Sequence, residues 1–256
     1  MARRNRETTL PAPFLRRVWV QPGALEGKAG YPFTLPWLDE DFELAFEQPV
    51  TIIVGENATG KSTLIEAIAA LAGYDPAGGG KGYMPVDHSR ARESSGAPLA
   101  GVLRAGWLPK VTEGWFFRAE SFFSVARYLD DVDSPSADFL SHSHGEGFLR
   151  LFGERMDRQG FYLLDEPESA LSPRRQLELL RLLAKAQDSG RSQVIVATHS
   201  PLLMAVPGAA LWQVTRGGFR PVALEDVPHF RLMRAFTADP ADLVAAALAG
   251  DEDMLF

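Results

Sequence analysis

The sequence predicts an α/β fold: a mostly parallel sheet flanked by helices, with an antiparallel β-lobe attached. Three observations carry that expectation. Short runs at 50–54, 161–164 and 194–197 are predominantly apolar and rich in β-branched or aromatic residues. They are too short for helices and read as buried strands. Longer helix-like stretches separate them, the alternation that builds a parallel, helix-covered sheet. Two earlier runs, 14–20 and 42–46, alternate apolar with polar residues and read as lobe strands.

The strand at 50–54 leads directly into GENATGKS, from Gly55 to Ser62, and an apolar-periodic helix follows over 63–71. Strand, glycine-bounded loop and helix form the context that makes G-x-x-x-x-G-K-[ST] a phosphate-binding loop. Gly55 and Gly60 permit backbone angles that a Cβ would penalise and let the main chain approach a phosphate closely. The loop amides and the helix N-terminus direct partial positive charge at the anion. Lys61 would reach the β- and γ-phosphates, and the Ser62 hydroxyl would ligate Mg²⁺. The loop thus predicts a P-loop NTPase, without stating what hydrolysis is for.

Composition sets outer limits. At 256 residues the chain suits one large α/β domain, and its 46% hydrophobic content supports an ordinary core. The 26 Lys+Arg against 33 Asp+Glu give a net charge of −7, which argues against a broad nucleic-acid footprint. Cysteine is absent, which excludes disulfides and thiolate metal sites. No apolar run approaches the roughly twenty residues of a membrane span. MARRNRETTL at the N-terminus is basic but lacks a signal peptide's apolar segment. The expectation is a soluble, cytoplasmic protein without direct membrane insertion.

Between the motifs, 21–41 is rich in Pro and Gly with Tyr31, Phe33 and Trp37 interleaved. One of these rings could stack on an adenine, and each could equally serve core packing. Residues 73–100 form a long Gly/Pro/Ser-rich connection. Strands are expected at 101–108 and 114–118, and a helix at 121–129. No heptad pattern is sustained between the phosphate loop and residue 143, so no coiled-coil arm is expected. SHGEG, from Ser143 to Gly147, opens an amphipathic run that ends near Gly160. Pro173 starts a helix running to about Asp188, with Ser172 as its N-cap. Strands near 210–214 and 219–223 and helices near 228–236 and 239–249 complete the chain.

Two strand ends carry further chemistry. FYLL leads into Asp165 and Glu166, and such sheets place ligands at the C-terminal ends of their strands. Asp165 suits the Mg²⁺ shell, and Glu166 suits the orientation or deprotonation of an attacking water. QVIVA leads into Thr198-His199-Ser200-Pro201, where His199 could hydrogen-bond the γ-phosphate. His142 and His144 are close in sequence, but no further ligands accompany them, so a histidine metal site is not expected.

GENATGKS, SHGEG, FYLLDEPESALS and VIVATHSP resemble, in order, four motifs of ATP-binding-cassette (ABC) ATPases. These are the phosphate loop, the signature, the Walker B strand with its D-loop, and the switch histidine. The match spans about 55–200. More closely, the chain resembles compact stand-alone bacterial ATPases of the AAA-type family that shares this cassette core. The resemblance implies ATP and Mg²⁺ as cofactors. It implies that Gly55, Asn57, Ala58, Thr59, Gly60, Lys61, Ser62 and Thr63 bind phosphates and metal, with Ser62 and Asp165 on Mg²⁺. Glu166 would be the general base and His199 the switch. Ser143, Gly145 and Glu146 would meet the γ-phosphate held by a second copy, in an ATP-dependent homodimer. Three departures stand out. Glu120 occupies the place of a transporter glutamine, the signature reads SHGEG, and SALS lacks the usual D-loop aspartate, with Ser172 in its place.

The expected organisation is a single domain over 1–256. Segments 14–54 and about 101–118 contribute to the β-lobe, and 121–158 forms a helical signature region. The expected activity is that of a soluble ATPase that switches an unknown protein partner. Two other readings stay open: the nucleotide-binding subunit of a membrane transporter, and a DNA-repair or defence-associated ATPase. Nucleic acid is a possible partner that the sequence does not indicate.

Overall fold

The computed structural model describes residues 10–75, 78–81, 96–111, 113–118 and 144–250. Two sheets organise them. The smaller is antiparallel, with β1 (Leu15–Val20) between β2 (Glu43–Ala45) and β4 (Leu103–Trp107). The larger holds β3 (Val50–Val54), β5 (Gly114–Arg118), β6 (Gly160–Asp165), β7 (Ser192–Ala197), β8 (Ala210–Thr215) and β9 (Gly218–Pro221), in the order β5-β6-β7-β3-β8-β9. All its pairings are parallel except the β8–β9 hairpin at one edge. The expected fold is therefore observed.

Strands β3, β6 and β7 are buried on both faces, as helix-covered parallel sheets require. Along β6, Tyr162 and Leu164 enter one core while Phe161 and Leu163 enter the other; along β7, Val194 and Val196 oppose Ile195 and Ala197. The first core is closed by α3 (His144–Met156) and α4 (Pro173–Ser189), through Phe152, Leu179 and Leu183. The second is closed by α1 (Lys61–Ala72), α2 (Gly96–Val102) and the β-lobe. A short α5 (Pro201–Met204) follows β7, and α6 (Pro228–Ala238) and α7 (Pro240–Ala249) end the described chain.

Three expectations change. Gly114–Arg118 belongs to the parallel sheet, paired with β6, and not to the lobe. The reason is visible in GWFFR: Trp115, Phe116 and Phe117 are consecutive and all buried, a two-faced pattern that a half-exposed lobe strand could not satisfy. Residues 96–102 form a helix where a strand was expected from 101. Pro98 falls in its first turn, where no N–H is needed, and Leu99 and Val102 are buried in the core shared with α1. Ser172 takes the N-cap position of α4 but its side chain makes no capping bond. The helix expected at 121–129 lies outside the described residues.

One side chain fastens the lobe to the sheet. Gln193, fully buried on β7, accepts hydrogen bonds at Oε1 from the amides of Phe14 (2.8 Å) and Leu15 (2.7 Å). Its Nε2 donates to the Leu15 carbonyl at 3.0 Å. Gln193→Leu would strip partners from three buried backbone groups, at about 1–3 kcal/mol for each group left unsatisfied. Urea unfolding should show a loss of about 3 kcal/mol or more. A loss below about 1 kcal/mol would mean that the lobe is held by apolar packing alone.

Candidate functional site

The parallel register sets the site. Asp165 is level with Ala197 across β6–β7, and Ala197 is level with Ile53 across β7–β3. The ladder continues past the strand ends, with the Glu166 amide donating to Ala197 O and the Thr198 amide to Ile53 O. The phosphate loop, the carboxylate pair and His199 are thus brought to one edge of the sheet.

Gly55 and Gly60 both have positive φ, 157° and 89°. A Cβ on Gly60 would lie 2.7 Å from a Leu35 methyl, and one on Gly55 would lie 2.8 Å from the Val214 carbonyl. Only glycine fits these two places. Ala58 also adopts a left-handed φ of 61°. The loop is braced from the lobe: Trp37 Nε1 donates to Thr59 O at 2.7 Å, and the Tyr31 hydroxyl hydrogen-bonds Thr63 Oγ1. Trp37 is buried, whereas Tyr31 is 57% exposed beside the start of α1. A cavity of about 470 Å³ adjoins the loop, lined among others by Trp37, Asn57, Gln213, Arg216 and His229.

Lys61 is buried, and its Nζ donates to the carbonyls of Gly55 (2.8 Å) and Glu56 (2.9 Å). Burial lowers its pKa, opposed by the charges of Glu166, Asp165, Glu56 and Glu168. Ser62 Oγ donates to Asp165 Oδ1 at 2.9 Å. Burial pushes the Asp165 carboxyl up to about 7, against the Ser62 hydrogen bond and the nearby Arg118 charge. Two hard oxygen donors, one on a carboxylate that burial makes costly to ionise, suit a divalent cation, which would reverse that cost. Among the described residues no three His, Asp or Glu side chains form a self-sufficient metal cage. Such a cation would rely on phosphate oxygens and water for its remaining ligands.

Glu166 adopts a left-handed φ of 48° and stays 41% exposed. Its Oε1 lies 3.7 Å from His199 Nε2. That nitrogen is buried and, among the described residues, has no hydrogen-bond partner. Burial, reinforced by the charges of Lys61 and His229, lowers the His199 pKa. An orphaned ring nitrogen at the loop and carboxylate end of the sheet suits a phosphate oxygen.

Comparisons with known proteins find two partial family matches and several similar folds. Residues 129–205 match the family model described as "AAA domain, putative AbiEii toxin, Type IV TA system", and residues 32–95 match a model described as "AAA domain". The two matches take in the phosphate loop, the Asp165–Glu166 pair and His199. Each of the two models covers less than a third of the chain, and both describe AAA domains. Among solved structures it is similar to the SMC head domain from Thermotoga maritima, at 18% identity and a TM-score of 0.46, covering 82% of this chain and 100% of that one. It is also similar to an inward-facing metal-chelate-type ABC transporter, at 17% identity and a TM-score of 0.40, covering 73% of this chain and 77% of that one. A dimeric bacterial ABC transporter cassette matches at 15% identity and a TM-score of 0.37, covering 73% of this chain and 90% of that one. No curated protein matches.

The structure brings together Gly55 to Thr63, Asp165, Glu166 and His199. Gly145 and Glu146 lie in the first turn of α3, while Ser143, His142 and Glu120 lie outside the described residues. Three contributors had no sequence signal of their own. Glu168 Oε1 accepts from the His199 amide at 2.5 Å. Arg118 forms a 3.0 Å ion pair with the buried Glu66 of α1. His229, at the start of α6, touches His199. Pro228 would have announced a helix start, but nothing in the sequence says that this start returns to the loop.

Glu168 supplies a pH test. Burial raises its pKa above the ordinary carboxylate value, opposed by the His199 amide, and among the described residues its Oε2 has no hydrogen-bond partner. An acid with a raised folded pKa binds its proton more tightly in the folded state. The resulting stability is complete below about pH 4.5, the unfolded value, and is lost as pH rises through the folded pKa. Glu168→Gln keeps an acceptor for the His199 amide and removes the titration. Thermal melts should show the variant more stable than the wild type at pH 8, with the gap closing toward pH 4.5. A gap independent of pH would rule out Glu168 as its source.

Proposed function

We propose that this chain binds ATP with Mg²⁺ and hydrolyses it, and that two copies close on two nucleotides to switch a protein partner. One observation carries the reading: the partnerless His199 Nε2, 3.7 Å from Glu166 Oε1, at the sheet end that also holds Lys61 and the Ser62–Asp165 pair. The loop amides and Lys61 offset the β- and γ-phosphate charge. Ser62 and Asp165 would hold Mg²⁺, which supplies Lewis-acid neutralisation of the phosphate oxygens. Glu166 orients a water and accepts its proton as the water oxygen attacks the γ-phosphorus. The bond from that phosphorus to the bridging oxygen breaks, and ADP and phosphate leave. His199 donates from Nε2 to a γ-phosphate oxygen.

The dimer rests on the resemblance, which gives Ser143, Gly145 and Glu146 of one copy to the nucleotide of the other. We place the protein in the cytoplasm; none of the described helices is long and apolar enough to cross a membrane. The family model that names a toxin matches only residues 129–205, the stretch from the signature region to the switch. That match supports the nucleotide switch and adds no toxin chemistry.

Glu166→Gln should lower ATP turnover by about 100-fold or more, the usual range for losing a general base. ATP affinity, measured by equilibrium binding, should stay within a few-fold. Unchanged turnover would remove Glu166 from the role of base. Wild-type activity per molecule should rise steeply with protein concentration across the dimerisation range. A constant rate in samples shown to be monomeric would count against a composite dimer site.

A further inference from the structure

His229 stands inside the site without belonging to any of its motifs. Its Nε2 is 3.2 Å from His199 Nδ1, with the rings 5.1 Å apart and nearly edge to face at 61°. Its Nδ1 is 3.9 Å from Glu56 Oε1, beyond hydrogen-bond reach, so that contact does not fix a proton on Nδ1; its side chain is 25% exposed. The ring is firmly placed. Val227, two residues earlier, is 1% exposed and packs into the core closed by α3 and α4, and its carbonyl accepts the Arg231 amide in the first turn of α6.

A neutral imidazole carries one ring proton, and the hydrogen bond at one nitrogen decides which nitrogen keeps it. Two ring nitrogens 3.2 Å apart need one donor and one acceptor. If His199 donates from Nδ1, its Nε2 presents a lone pair, which repels a phosphate oxygen. If His199 accepts at Nδ1, its proton sits on Nε2, the buried atom without a partner. Only the second arrangement makes His199 a donor toward the nucleotide.

We propose that His229 is a positioning residue that donates from Nε2 to His199 Nδ1 and so fixes the switch histidine in its Nε2–H tautomer. This rests on the reading of His199 as the γ-phosphate donor. Around the two rings stand Glu56, Glu166 and Lys61, and none of them bonds to His199 Nδ1 in place of His229. The proposal also gives α6 a task. Any displacement of that helix would remove the donor and release the tautomer of His199.

The test separates the two readings. Full-length protein carrying ¹⁵N-histidine is compared as wild type, His229→Phe and His229→Gln, with long-range proton–nitrogen spectra reporting the His199 tautomer. The wild type should show the Nε2–H form. His229→Phe, which has no donor, should shift the ring toward Nδ1–H or a mixture, and His229→Gln, whose amide donates, should restore Nε2–H. Turnover should fall at least tenfold in His229→Phe and recover in His229→Gln, with ATP affinity within twofold throughout. An Nε2–H ring that persists in His229→Phe overturns the proposal, as does a wild-type ring in the Nδ1–H form. A tautomer that changes while turnover does not would confirm the positioning and refute the donor role of His199. Should His229→Phe fail to fold, His229→Ala provides the same donorless comparison.

Discussion

The register of three parallel strands is the constraint on which the site depends. Asp165, Ala197 and Ile53 are level across β6, β7 and β3. The residues that follow each of them therefore leave the sheet from the same edge. Side chains alternate faces along a strand, so a slip of one residue in β6 would exchange the two cores and carry Asp165 away from Ser62. Burial on both faces makes such a slip costly: Tyr162 and Leu164 fill one core, and Phe161 and Leu163 fill the other. The geometry of the chemistry is thus secured by apolar packing some distance from it.

That packing has an electrostatic consequence. Lys61 and Asp165 are taken out of water, and burial is the first cause of both pKa shifts, each toward the neutral form. The site therefore holds charges that the fold only partly compensates. Arg118 eases the strain on Asp165 while its own charge is paired with Glu66, which also accepts the amide of Gly96. Through this chain of contacts the edge strand β5, the loop helix α1 and the start of α2 form one bracket. A triphosphate with its cation would supply the complement that such a site lacks, since a low-dielectric setting strengthens each interaction with it.

Much of this was legible in the sequence, because the signals were local. GENATGKS carries its own flanking strand and helix, and the apolar runs before Asp165 and His199 fix both strand and strand end. What was misread was also local, but ambiguous. GWFFR suits a lobe strand until the burial of three consecutive aromatics is taken into account, and GAPLAGV holds a helix that only its docking on α1 makes worthwhile. Gln193 is polar within an apolar run, and its value appears only when the Phe14 and Leu15 amides arrive from 178 and 179 residues away. No periodicity encodes a partner at that distance.

His229 is the sharper case of the same limit. A histidine two places into a helix, after a proline, has no chemistry until the helix is seated. The seating depends on Val227 packing into a core built by residues some fifty to a hundred positions earlier, including Leu179 and Phe152. Its significance then comes from an absence of alternatives at another residue. His199 Nδ1 meets His229, and among the described residues His199 Nε2 has no hydrogen-bond partner. Motifs name the groups proposed to touch a nucleotide, because their spacing along one strand or loop is fixed. The groups that decide how those residues present their protons come from wherever the tertiary fold delivers a donor, and here it delivers one from the first turn of α6.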